Sequence, residues 1–318
     1  RPDRLSERHV PPPGPTPRKP RESAKVEPMP VRDRLLALLV VLVWGLNFVV
    51  IDWGLTGVPP LLFVAMRFLL VVFPAILFVK RPTGRWQDVA LVGLFLSVGQ
   101  FGLLYSSMAA GMPPGLASLV LQVQAAFTIT LGARILHERP RGTQVAGVVL
   151  GLAGLVVVGL GRGGAIPLGA FLLCVGAAAS WAAGNIASRR LAGASGLSLT
   201  VWSGLIVPIP LALLACLVNG PAAVGSALTH LSLVNWASTA YTAAFASLFG
   251  YGVWNTLLGR HKVAEVAPYT LLVPVVGIAA AATLRGERPT AWALAGGALL
   301  VAGVAVATLR RPSGATAG

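Results

Sequence analysis

Charge is what this chain lacks most. Only 11% of its 318 residues are Asp, Glu, Lys or Arg, against roughly a quarter in a soluble domain. Acidic side chains are the scarcest: there are ten, all in the N-terminal tail, in loops or at helix ends. The four histidines (His9, His137, His230 and His261) are placed likewise. Proton relays through membranes usually put a carboxylate or imidazole inside the bundle; no such group is evident here, so no coupling residue can be named and the means of energy coupling stays open. Cysteine is nearly missing as well. Cys174 and Cys216 sit inside apolar runs, which excludes a disulfide framework and any cysteine spacing for a metal. No cofactor and no metal is expected.

What is present is apolar sequence, 55% of the chain. It falls into ten runs near the roughly 20 residues that a spanning helix needs: Leu35–Trp53, Leu61–Val79, Val89–Ala109, Leu116–Ile135, Thr143–Leu160, Leu168–Leu191, Leu199–Val218, Val234–Leu257, Ala267–Leu284 and Ala291–Leu309. The expected fold class is an all-α integral membrane protein with ten transmembrane helices. Connections are short and rich in Gly and Pro, as in Gly57-Val58-Pro59-Pro60. Pro74, Pro208, Pro210 and Pro274 fall within runs, which membrane helices tolerate when neighbours satisfy the freed backbone groups. Residues 1–30 are different, with prolines from Pro11-Pro12-Pro13 to Pro30 interleaved with Arg, Lys and Glu; such a tail cannot bury enough apolar area to order itself. The chain begins with Arg1, and Met29 is the expected native start. Residues 312–318 are expected to be disordered too.

Two stretches repeat. Glu138-Arg139-Pro140 and Glu287-Arg288-Pro289 lie 149 residues apart, and each precedes a Gly/Ala-rich apolar run. Trp44 with Asn47 is echoed by Trp181 with Asn185. The expectation is two five-helix units, residues 31–162 and 163–311. The formal charge of +15 does not indicate nucleic acid, because the basic residues outside the tail cluster in the short loops. With the N-terminus in the cytoplasm, the inner loops hold fourteen: Arg32, Arg34, Lys80, Arg81, Arg85, Arg134, Arg139, Arg141, Arg189, Arg190, Arg260, Lys262, Arg310 and Arg311. The outer loops hold only Arg162, Arg285 and Arg288. The positive-inside rule therefore predicts N-in and C-in. Five helices per unit is an odd number, so the second unit enters the membrane from the opposite side. That is an inverted repeat, the architecture of transporters that bind substrate near the midplane.

Polar side chains inside the runs are few. Trp44, Asn47, Arg67, Gln100, Gln122, Trp181, Asn185, Tyr251 and Asn255 are the candidates for a substrate cavity, since amides and aromatic rings suit a small polar or zwitterionic solute. Each amide has an alternative use as a helix–helix hydrogen bond, worth about 0.6 kcal/mol in membranes. Gln122 and Gln124 stand about 200° apart, so at most one faces a cavity. Arg67 is the basic residue that lies well inside a run; it either snorkels outward towards Asp52 or meets a substrate carboxylate. Glu138 and Glu287 are read most simply as loop residues at helix starts, where a carboxylate suits the dipole, with a gating role as the alternative. Gly147, Gly151 and Gly154 share one face of the fifth run, and Gly296 and Gly303 one face of the tenth; these small faces are expected to hold each unit together. Gly193-Ala194-Ser195-Gly196 spells the short motif of an intramembrane serine protease, but Ser195 lies in a loop and no histidine lies within a run. No catalytic residue is assigned.

These residues carry a resemblance. Trp44-Gly45-Leu46-Asn47 in the first run, Gly115-Leu116-Ala117-Ser118 leading to Gln122 and Gln124, Ser180-Trp181-Ala182-Ala183-Gly184-Asn185, Gly250-Tyr251-Gly252-Val253-Trp254 and Leu271-Leu272-Val273-Pro274 are similar to EamA-type members of the drug/metabolite transporter superfamily. Within it the chain most resembles exporters of O-acetylserine and cysteine, from about Met29 to Leu309. The resemblance implies two inverted units around a shared cavity, a bacterial inner-membrane location, export of small amino-acid-like metabolites and no enzyme activity. The expected partners are a small-molecule substrate and the lipid bilayer, with no nucleic acid; a homodimer is left open.

Overall fold

The computed structural model describes residues 29–161, 166–191 and 193–308. The expected tail up to residue 28, Arg162, Arg310, Arg311, the end of the last run at Leu309 and residues 312–318 lie outside the described residues. Within them the chain is helical throughout, without a strand. In order come α1 (Val31–Gly54), α2 (Pro60–Leu77), α3 (Trp86–Ala109), α4 (Pro114–Ile135), α5 (Gly142–Leu160) and α6 (Leu168–Ser188). Then follow α7 (Gly196–Gly204), α8 (Pro208–Asn219), α9 (Pro221–Thr229), α10 (residues 233–260), α11 (Ala267–Arg285) and α12 (Ala291–Thr308). Among the described residues eight helices are long and apolar enough to cross a membrane, or nine if the α7–α8 pair is one span. The outer surface is what a bilayer requires: Leu39, Leu69, Val149, Val156, Ile209 and Leu217 are all exposed.

Departures from regular helix follow the chemistry. The seventh run is not one straight helix. Pro208 and Pro210 supply no N–H, and the chain bends by 50° between α7 and α8. A further short helix, α9, goes beyond the ten runs of the sequence. The eighth run is helical without interruption as α10, but Asn235, Ser238, Thr239, Thr242, Ser247 and Asn255 leave it too polar to join the eight. Asn235 pins it to the end of α1, its Nδ2 donating to the carbonyls of Gly54 and Thr56 at 3.1 Å each.

α3 and α10 each contain a π-helical segment, Gly93–Gly99 and Tyr241–Phe249. The sequences around them match: Phe95, Ser97, Phe101 and Gly102 correspond to Phe245, Ser247, Tyr251 and Gly252. In each, a carbonyl within the segment accepts from a side chain of another helix. Ser180 Oγ of α6 donates to Phe95 O at 2.8 Å, and Trp44 Nε1 of α1 donates to Ala246 O at 2.9 Å. Wider π turns loosen the backbone ladder and often mark functional positions.

The glycine faces do something other than expected. They do not hold each unit together; they meet each other. A Cβ at Gly147 would lie 2.5 Å from Gly303 O, and one at Gly154 would lie 2.6 Å from Gly296 O. α5 and α12 are thus joined backbone to backbone, which links the two repeated stretches. Two flat, small faces pack most closely against a surface equally flat, and α5 finds that surface on α12.

Candidate functional site

Carboxylates at the helix ends and in the loops mark two ends of the bundle. At one end of α1, Asp33 pairs with His261 at 2.6 Å and with Arg260 at 3.9 Å. At the other, Asp52 pairs with Arg285 at 2.7 Å. Nineteen residues of helix separate the two aspartates, about 28 Å at 1.5 Å per residue. The two Glu-Arg-Pro stretches lie at opposite ends of α4. Glu138 follows its C-terminus and pairs with Arg189, whereas Glu287 reaches its N-terminus and accepts from the Gly115 N–H at 3.2 Å. The dipole argument made for the start of the following helix therefore applies to Glu287 at a different helix, α4.

Glu287 is half-buried in its loop, and desolvation raises its pKa above the ordinary carboxylate value. The neighbouring Asp52 charge adds to the rise, while the Gly115 N–H and Arg285 oppose it. A folded-state pKa above the unfolded one means that the folded protein binds this proton more tightly. The contribution to stability is therefore full at low pH and is lost as pH rises through the shifted value. Glu287→Gln removes that titration. The Tm difference between variant and wild type is expected to be more positive at pH 7 than at pH 5, and a difference independent of pH would remove Glu287 from this role.

A cavity of about 140 Å³ lies among α2, α3, α6, α7 and α10. Drug-sized ligands take clefts of roughly 300–1,000 Å³, so this one suits a much smaller solute. Four of the nine candidate residues line it: Arg67, Trp181, Asn185 and Tyr251. Arg67 sits in α2 and is 2% exposed. It does not run outward to Asp52, which pairs with Arg285 instead. Its Nη1 donates to Tyr105 Oη at 2.9 Å, and its Nη2 and Nε donate to Ser247 Oγ at 2.9 and 3.3 Å. The Phe101 ring lies 4.0 Å from its Cζ, a cation–π contact. Asn185 of α6 donates from Nδ2 to Gln124 Oε1 at 3.1 Å and to Thr128 Oγ1 at 3.2 Å, both on α4.

The other five candidates lie outside the lining. Trp44 is one layer behind, bonded to Ala246, with its ring tilted against those of Tyr251 at 5.5 Å and Trp254 at 5.4 Å. Gln122 donates to Thr270 O at 3.4 Å, across to α11. Gln100 is buried in α3. Asn47 and Asn255 are internal, and Asn47 Oδ1 and Asn255 Nδ2 are buried without a hydrogen-bond partner. The serine and threonine hydroxyls of the lining, from Ser97, Ser188, Thr200, Ser203 and Ser247, are not among the sequence candidates. The echo of Phe95-x-Ser97 in Phe245-x-Ser247 is the signal that points to two of them.

Apolar helices in a bundle around a small, mainly apolar cavity with Arg67 and Asn185 in its wall are compatible with a membrane transporter, and comparison with known proteins says which kind. The model of the EamA-like transporter family matches this chain twice, over residues 34–160 and 168–309. The chain belongs to that family, as a multi-pass protein of the bacterial inner membrane. It is 46% identical over 279 residues to a protein of Salmonella typhimurium described as a probable amino-acid metabolite efflux pump, covering 86% of this chain and 93% of that one. A protein of Escherichia coli with the same description is 44% identical, with the same coverage of both chains. A solved crystal structure is similar in fold, with a TM-score of 0.59 and 22% identity, over 88% of this chain and 97% of that one.

Proposed function

We propose that this protein exports small amino-acid-like metabolites, O-acetylserine and cysteine among them, by alternating access around the cavity. The observation that carries the reading is that both family-matched regions build the cavity. Arg67, Ser97 and Phe101 come from the first, and Trp181, Asn185 and Tyr251 from the second. A site shared between repeats is reached from either side when one repeat rocks against the other. The substrate named for the relatives in Salmonella and Escherichia coli supports the same cargo class.

The full reading has ten spans, with α7 and α8 as one and α10 included, and both termini in the cytoplasm. Residues 31–162 and 163–311 form the two inverted units. The position of the Glu-Arg-Pro copies at opposite ends of α4 supports the inversion, and the loop arginines and lysines support the orientation. The other five candidates (Trp44, Asn47, Gln100, Gln122 and Asn255) belong to the walls that move, meeting the substrate in another state of the cycle. Efflux of O-acetylserine, cysteine and unrelated amino acids from vesicles with and without the protein tests the cargo. Selective export of the first two is expected. Export of a different metabolite alone would keep the transporter and replace its substrate.

A further inference from the structure

We infer that Arg67 anchors a carboxylate on the transported solute, so that a free carboxylate is required of the cargo and an ammonium group is not. The inference rests on the export reading above and names what the cavity selects. A cation as deeply buried as Arg67 carries a large desolvation cost, normally met by an acidic partner. None is supplied here: the ion pairs among the described residues all lie at helix ends, and none includes Arg67. Its partners Tyr105, Ser247 and the Phe101 ring are neutral. They hold the guanidinium in place and leave its charge uncompensated.

The donor inventory points the same way. A guanidinium has five N–H groups in a planar fork. Three are engaged, one on Nη1, one on Nη2 and the one on Nε. One N–H remains on each terminal nitrogen, and a carboxylate offers two oxygens to such a pair. The rest of the lining is hydroxyls, the Asn185 amide, aromatic rings and aliphatic groups, with no acidic side chain. An ammonium therefore meets no ion partner there, while a carboxylate meets one. A solute that lacks the carboxylate gains nothing from the cation.

The test uses three compounds that differ at one group each: cysteine, 3-mercaptopropionate (the acid without the amine) and cysteamine (the amine without the acid). Binding is measured to the full chain in nanodiscs, and export is measured from vesicles. The two acids are expected to bind within a few-fold of each other, and cysteamine about 10- to 100-fold more weakly, the scale of missing charge-assisted hydrogen bonds. Arg67→Gln, first checked for a monodisperse folded state, is expected to bind acid and amine alike. Cysteamine binding as tightly as 3-mercaptopropionate, with cysteine still exported, would overturn the anchor and leave the exporter standing. If none of the three binds or moves, the cargo class itself is wrong and the anchor falls with it.

Discussion

Asn185→Leu is expected to lower export about 10- to 100-fold, the scale of removing one or two hydrogen bonds from a desolvated site, with little change in the amount of membrane-inserted protein. Asn185 lines the cavity and also ties α6 to α4 through Gln124 and Thr128. Leucine removes the amide, leaves the Gln124 carbonyl without this donor and pushes an apolar branch into a space of about 140 Å³. The packing consequence is modest, because interhelical hydrogen bonds in membranes contribute only about 0.6 kcal/mol each on average. The transport consequence is large, because the Asn185 amide is one of the few polar groups that the cavity wall offers to a solute. Efflux rate and membrane abundance, measured on the same cells, separate the two. Export at half the wild-type rate with normal abundance would take Asn185 out of the site.

The second large effect lies outside the cavity lining. Gly154→Ala and Gly151→Ala make the same change three residues apart on α5, and opposite results are expected. At Gly154 the new methyl would lie 2.6 Å from Gly296 O and 2.7 Å from Leu300 N, both backbone atoms of α12 that cannot turn aside. The helices must separate, at a cost of about 1–3 kcal/mol, typical of overpacked cores. At Gly151 the nearest atom is Ala126 Cβ at 3.9 Å, an ordinary contact. There alanine is expected to be neutral or to stabilise by up to about 1 kcal/mol through helix propensity. Thermal unfolding of both variants in one detergent decides the matter. A Tm for Gly154→Ala equal to wild type would mean that α5 and α12 are not held backbone to backbone.

That seam shows where sequence reading stops. Glycines at i, i+4 and i+7 state that α5 has a flat face, and Gly296 and Gly303 state the same of α12. Neither pattern says which flat face meets which, and the expectation that each serves its own repeat fails for that reason. Arg67 shows the same limit in another form. Its place inside an apolar run is plain, yet its two destinations are equally consistent with the spacing. The pairing of Asp52 with Arg285, and of Arg67 with Tyr105 and Ser247, separates them. Those partners are 38 and 180 residues away from Arg67 in the chain.

By itself the sequence determined the helical membrane class, the approximate limits of most runs, the paired Glu-Arg-Pro stretches and the family. These depend on hydropathy over about 20 residues, on loop composition and on short motifs, all of them local and additive along the chain. Tertiary structure alone decided the bend between α7 and α8, the π segments of α3 and α10, the contact of α5 with α12, and which four of nine polar candidates surround one space. Each of those depends on how helices distant in sequence cross and on which side chain then finds a partner. An amide reads identically in a sequence whether it faces a cavity or a neighbouring helix; only the neighbour's position distinguishes the two.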